Sequence, residues 1–411
     1  MINNKLMEKF AELTVKIGVN VQKDQWVFVN SSTETKELAR EIVKQAYLAG
    51  AKKVTVNWND DYVSKYGYIH KSEETLKDVP KWRIDKMKAF VDEGGCAISI
   101  TSPIPDLNKD VDPMKLQTSG IATRRALSFY YDHMMGSKSQ WVVIAAPNAA
   151  WAKKVFPKLD QEAAIDALWD AILEASRVTL ENDPIAEWNE HNKKMLAHNE
   201  ILNNYNFETL YFKNNLGTDI SVKLVDNHIW AGGGELTPGK ILFNPNIPTE
   251  ENFTMPHKHG VNGKVVSTKP LNYQGKLIED FWLIFKDGKV VDFDAKVNKD
   301  ALENLLKFDE GSSYLGEIAL ISYDSPISNS GILFYNTLFD ENASCHMALG
   351  RAYSINIVDG TSMSLDELYE KGYNHSMAHS DFMFGSKDLS VTGKTKDGKE
   401  VVVFKDGNFV I

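Results

Sequence analysis

The chain reads as an α/β N-terminal domain with a mostly parallel sheet, followed by an α+β C-terminal domain rich in antiparallel hairpins. Three observations predict this. Up to Ile185, short apolar β-rich runs alternate with helix-length periodic segments, the pattern of parallel strands joined by crossover helices. Beyond Tyr205 the apolar runs are separated by Asp-Gly turns, the mark of hairpins. Between them a polar helical stretch follows Pro184, and we place the boundary there, with domains at 1–185 and 186–411.

Each element has its local reason. Leu6, Phe10, Leu13 and Ile17 recur at helical spacing, predicting an amphipathic first helix that stops at Gly18. Trp26–Val29 is the first strand, and Ser31-Ser32-Thr33-Glu34 reads as a capping box opening a helix through Leu38, Ile42 and Ala46 to Gly50. Lys53–Trp58, Cys96–Ile100 and Trp141–Ala146 continue the strand series. The helix Gln161–Val178 carries Ile165, Leu168, Trp169, Ile172 and Leu173 on one face, so it packs on a core. In the following helix, Ile185–Asn203, His191 and His198 lie beside Glu190 and Glu200 and read as a hydrated face. Later strands fall at Thr209–Phe212, Ile220–Leu224, Phe281–Phe285, Val290–Phe293, Val401–Phe404 and Asn408–Ile411, with a helix at Lys299–Lys307. Hairpin turns are expected at Lys286–Lys289, Lys396–Lys399 and Lys405–Asn408.

Composition narrows the function classes. At 411 residues, 43% hydrophobic and 25% charged, the chain can bury large cores and is ordinary for a soluble protein. A formal charge of −10 with no Lys/Arg block speaks against nucleic acid, whose phosphates need a basic face. The N-terminus lacks the ordered regions of a signal peptide, and no run approaches the roughly 20 apolar residues of a membrane span. Cys96 and Cys345 are isolated, which fits a reducing cytoplasm and buried thiols. The loop Asn30-Ser31-Ser32-Thr33 carries no glycine fingerprint for a dinucleotide, and Gly311–Gly316 has P-loop spacing but Glu317 where lysine is required. A serine nucleophile elbow and an H-E-x-x-H zinc helix are also missing, so the first domain is expected to shape or cover a site rather than supply its chemistry.

The densest set of metal-ligating side chains lies between Cys345 and Gly385: His346, Tyr353, His375, His379 and Asp381. Oxygen and nitrogen donors without a second thiolate suit zinc, cobalt or manganese. His379 and Asp381 share a face if their segment is extended. Upstream, Glu317 heads an apolar run that reads as a buried strand, where an ionised carboxylate needs a compensating partner. Glu250 and Glu251 form a tandem pair between two prolines. The competing readings are a salt bridge for Glu317, a solvated loop for the glutamate pair, and loop positions for His257 and His259.

Four segments in order, Asn246–Pro256 (N-x-P-T-E-E-x-F-T-x-P), G-E-I-A-L around Glu317, C-H-M-A-L-G-x-A-Y from Cys345, and H-S-D-F-M-x-G from His379, resemble the M29 family of metallo-aminopeptidases, which includes aminopeptidases T and S and the PepS group. The resemblance implies two divalent metal ions held by Glu251, Glu317, His346, His379 and Asp381, with Glu317 as the bridge. It places Tyr353 at or beside the metals, makes Glu250 a candidate general base, and leaves His375 outside the first shell. It further implies hydrolysis of the N-terminal bond of short peptides, and a homodimer enclosing its site. The alternative is a metal-dependent binding or assembly module whose ion is structural, distinguished by how many ions are held and whether coordination positions stay open.

Overall fold

A computed structural model describes residues 2–274 and 276–411. The chain divides into two compact units. One ends at Glu190 but takes back Gly234–Pro248; the other comprises His191–Gly233 and Thr249–Ile411. The crossing therefore falls inside the helix Pro184–Tyr205 rather than at its start, and the returning segment carries no sequence signal.

Among its described residues, the first unit holds a four-stranded, all-parallel sheet of Trp26–Ser32, Lys53–Asn59, Cys96–Thr101 and Trp141–Ala145, in spatial order second, first, third, fourth. Trp26 and Phe28 point to one face and meet the ring of Phe90 edge-on, at 5.8 and 5.6 Å. Val27 and Val29 point to the other face and are fully buried. The helix Lys36–Leu48 packs along this strand and buries Leu38 and Ile42. Its end is as expected: Gly50 adopts φ +99°, so its amide donates to Tyr47 and that of Ala51 to Ala46, satisfying carbonyls the helix leaves open. Its start differs from the capping box read in the sequence. Ser32 caps a 3₁₀ turn, Thr33–Thr35, by accepting from Glu34 N, and the Ser31 and Thr35 hydroxyls pair at 2.8 Å. A reciprocal capping box occurs instead at Ser364 and Glu367.

The first helix is α from Asn4 to Leu13 and continues as a π turn, Thr14–Gly18. The wider turn rotates Val15 and Gly18 inward and leaves Ile17 half-buried.

The second unit is built on two antiparallel sheets. The larger includes Phe207–Lys213, Asp219–Leu224, Pro256–Val266, Lys276–Lys286, Lys289–Val297, Ser390–Thr395 and Glu400–Lys405, and all three expected Asp-Gly turns close hairpins in it. His257 and His259 lie within the strand Pro256–Val266, not in a loop. The smaller sheet runs His379–Met383, His346–Gly350, Leu315–Leu320, Asn252–Thr254. Ile318, Leu320, Met347, Leu349 and Phe382 on one face join Leu210, Phe212, Val265 and Phe281 in a common core.

Gly232, at φ +133°, lies so close to the strand entry that a methyl group added there would stand 1.9 Å from the carbonyl oxygen of Glu251. Gly232→Ala is expected to lower stability by about 1–3 kcal/mol and to displace Glu251. Urea unfolding checks the first effect, and unchanged stability would contradict the close approach.

Candidate metal centre

The smaller sheet sorts its residues by parity, because side chains alternate between the two faces of a strand. Ala319 pairs with His346, and Glu317, Ala348 and Asp381 form one cross-strand row, with Gly350 opposite His379. Glu317, His346, His379 and Asp381 thus share the face opposite the core. Between them stand Ala319, Ala348 and Gly350, whose small or missing side chains leave volume above the sheet. Glu251 precedes the strand Asn252–Thr254 and keeps phase with Phe253, which pairs with Ala319 on the same face. Glu250 has the opposite parity.

The distances converge on Glu317. Its Oε1 lies 3.4 Å from Nε2 of His346, and its Oε2 lies 3.7 Å from Nε2 of His379. His346 Nε2 is also 3.3 Å from Oε2 of Glu251, and His379 Nε2 is 3.2 Å from Oδ1 of Asp381. Two candidate triads result, Glu251–Glu317–His346 and Glu317–His379–Asp381, each with its donor atoms within 4.8 Å of one another and with Glu317 common to both. His375, by contrast, is exposed and packs against Tyr369.

The histidine rings are held by their far nitrogens. Nδ1–H of His346 donates to the carbonyl of Glu341 at 2.8 Å, and Nδ1–H of His379 to that of Arg351 at 2.7 Å. A carbonyl only accepts, so each Nε2 faces the carboxylates either protonated or as a lone pair for a cation.

Electrostatics decides how well the protein tolerates this cluster. Burial pushes Glu317 above the usual carboxylate range, against the pull of His346 and His379. Burial also pulls His346 down, but the Glu251 and Glu317 carboxylates outweigh it and hold the imidazole well above its ordinary range. His379 is lifted to about 10: burial opposes this, and Asp381 and Glu317 prevail. Asp381, raised by burial, is pulled lower still by His379. A buried set richer in carboxylates than in imidazoles is the environment that divalent cations neutralise, and its N and O donors suit zinc, cobalt or manganese. The residues present fit such ions.

Sequence reasoning missed two contributors. Glu341, on the 3₁₀ turn Glu341–Ala343, is partly buried, with Asp381, Glu251, His346 and Glu317 near enough to act on its carboxyl. Burial first, and those acidic neighbours next, raise it well above its usual range. Nothing in the sequence around Glu341 sets it apart from a solvated glutamate. His191, read as part of a hydrated helix face, is instead mostly covered: Nε2 lies 2.8 Å from the carbonyl of Thr249 and 3.8 Å from Oε2 of Glu250. The amide of Glu250 donates to Oδ1 of Asn342 at 2.8 Å, so its backbone and side chain are both positioned, outside the two triads. His198 is half-buried and stacks on Phe409 at 4.1 Å. Tyr353 packs its ring 4.8 Å from His379 and 6.4 Å from Phe253, centre to centre. Burial, then the surrounding carboxylates, push its phenol well above 10, so it stays a neutral donor.

A largely buried carboxylate–imidazole cluster with a shared glutamate, raised on an antiparallel sheet, is a donor set of the kind metal-dependent enzymes use. The profile of the thermophilic metalloprotease (M29) family matches residues 3–409, and the chain belongs to this family of metallo-aminopeptidases. It is 47% identical to aminopeptidase 2 of Geobacillus stearothermophilus and 45% identical to aminopeptidase AmpS of Bacillus subtilis, each over 98% of both chains. Its fold is similar to that of wild-type AmpT from Thermus thermophilus, with a TM-score of 0.92 and 34% identity over 99% of each chain.

In metal-stripped protein, the proton on His379 contributes stability in full below its ordinary 6.5, and that contribution is lost as pH rises through about 10. The melting temperature of the stripped form is therefore expected to fall between pH 6.5 and 10 while that of the metal-loaded form changes less. Parallel curves for the two forms would show that the cluster's protons are not coupled to folding in this way.

Proposed function

We propose that the enzyme is a dinuclear aminopeptidase that removes single residues from the N-termini of short peptides. The observation that carries this reading is the position of Glu317, whose two carboxylate oxygens face different histidines and belong to different ligand triads. On this reading Glu251 and His346 complete one ion's ligands, and His379 and Asp381, joined by Glu341, complete the other's. Two bound divalent cations, zinc, cobalt or manganese, would supply a water acidified toward neutrality and Lewis-acid polarisation of a carbonyl.

The chain's own residues do the rest. Glu250, steadied by His191 and Asn342, is the base positioned to take a proton. Tyr353, kept neutral, donates a hydrogen bond to the oxygen on which charge develops. The surplus of carboxylate over imidazole favours a substrate with a free α-ammonium group, which restricts cleavage to the first peptide bond. A purely structural ion would need one closed coordination shell, and a shared glutamate between two triads is a poor fit to that alternative.

We place the enzyme in the cytoplasm as a homodimer. No helix among the described residues is long and apolar enough to cross a membrane. The helices Asp61–His70 and Pro113–Ala126 bury no residue, and Tyr62, Val63, Tyr66, Met114 and Ile121 are each more than half exposed, an apolar surface suited to a second copy. Light scattering is expected to give twice the chain mass, reduced toward the monomer by Tyr66→Glu with Ile121→Glu.

Chelation is expected to abolish release of leucine from leucyl-p-nitroanilide, with zinc or cobalt restoring it at two ions per chain. Glu317→Gln should lose bound metal and hydrolysis together, by more than the roughly 10–100-fold typical of partners one shell out. Glu250→Gln should keep both ions and lose about a hundredfold or more in kcat. Full hydrolysis with a single ion, or by the Glu317 variant, would sink the bridging role.

A further inference from the structure

We infer that the recess whose aliphatic walls are Leu271, Leu277, Leu333 and Met383, set among polar ones that include Asn272 and Thr337, receives the side chain of the substrate's N-terminal residue and selects compact aliphatic ones; this rests on the aminopeptidase reading above. Asp381, a carboxylate of the candidate triads, and the nearby Glu341 belong to the same recess, and every wall lies within the second unit. In an N-terminal residue the α-amine, the scissile carbonyl and the side chain all leave one Cα. Where the first two are held at the cluster, the recess beside it is the space that continues from that carbon.

The recess is shaped for a particular size. Its cavity measures about 40 Å³. A buried water takes about 10–15 Å³ on this measure, so roughly three water-sized groups fit, which suits the branched chain of Val or Leu rather than an aromatic ring. Leu271 and Met383 are anchored in the buried interior, whereas Leu277 and Leu333 are half-buried. Leu333 is held by its neighbour: the amide of Phe334 donates to Oδ1 of Asp340 at 2.8 Å, and Asn336 N to Oδ2 at 2.9 Å. The loop is thus pinned, and the wall is set before substrate arrives. Asp340 also borders the recess, so an acidic side chain would face its charge beside the cluster's own carboxylates.

The test compares kcat/KM of the metal-loaded enzyme on leucyl, valyl, alanyl, phenylalanyl and glutamyl p-nitroanilides. Leucyl or valyl substrate is expected to exceed phenylalanyl and glutamyl by at least about tenfold, the scale of a few misfitted carbons. Leu333→Ala and Leu277→Ala should each raise the phenylalanyl-to-leucyl ratio about tenfold, and Leu333→Phe should lower leucyl relative to alanyl. Ratios within one preparation cancel any loss of folded enzyme. If hydrolysis persists in both alanine variants with the ratio unmoved, the recess is a water or ion passage and the subsite is overturned alone. If the wild type hydrolyses none of the anilides after metal is restored, the aminopeptidase reading fails and this inference fails with it.

Discussion

A carboxylate on a strand buried on both faces is the constraint from which the rest of the second unit follows. Glu317 sits in Leu315–Leu320, every residue of which is buried. An isolated charge there would be too costly to keep, and the group would neutralise by taking a proton. What makes it tolerable is position: one carboxylate oxygen faces His346 and the other faces His379. His346 comes from the adjacent strand and His379 from the one beyond it in the same small sheet, so the spacing between strands sets the spacing between these candidate ligands. A helical scaffold could place two such groups on one face, but a pleated sheet places a grid of them.

The same sheet has to serve a core on its other side, and alternation makes the two tasks compatible. Met347 and Leu349 pack downward while His346 and Ala348 face the cluster. The alanines at 319 and 348 matter for what they lack, since a larger side chain at either would occupy the space above Glu317. Rigidity comes from polar contacts beneath and around the site. Asn252 donates to the Met195 carbonyl at 2.9 Å and to Oδ1 of Asn199 at 2.7 Å, while Asn199 donates to the Gly232 carbonyl at 3.0 Å. These bonds tie the strand entry that carries Glu251 to the helix Pro184–Tyr205. A candidate metal centre assembled from distant segments needs such ties, because a donor group can serve an ion only if its backbone is already held.

Much of the architecture was legible because it rests on local patterns. The parallel strands of the first unit, the Gly50 helix stop and the three Asp-Gly hairpins each follow from a periodicity or a turn residue that acts within a few positions. The departures also have local causes. The π turn at Thr14–Gly18 shifts the buried phase by one residue, which a period of 3.6 cannot anticipate. His191 was read as hydrated because its helix is polar overall, yet a polar helix face can lie against a polar site, as it does at Thr249 and Glu250. Glu341 escaped notice because nothing about a lone glutamate near a turn distinguishes it from a solvated one. Its burial and its acidic neighbours are properties of the folded chain.

The amino-acid order by itself determined which donors exist, which of them stand two apart on an extended segment, and which strands must be buried on both faces. These are consequences of side-chain chemistry and backbone period. Only the tertiary structure decided that segments from 251 to 381 stack in one antiparallel sheet, that the parity of Glu251 rather than Glu250 matches the site face, and that Glu341 comes near enough to act on the cluster's charge. Register and convergence depend on pairing between residues far apart in the chain, and no local period specifies which strand lies next to which.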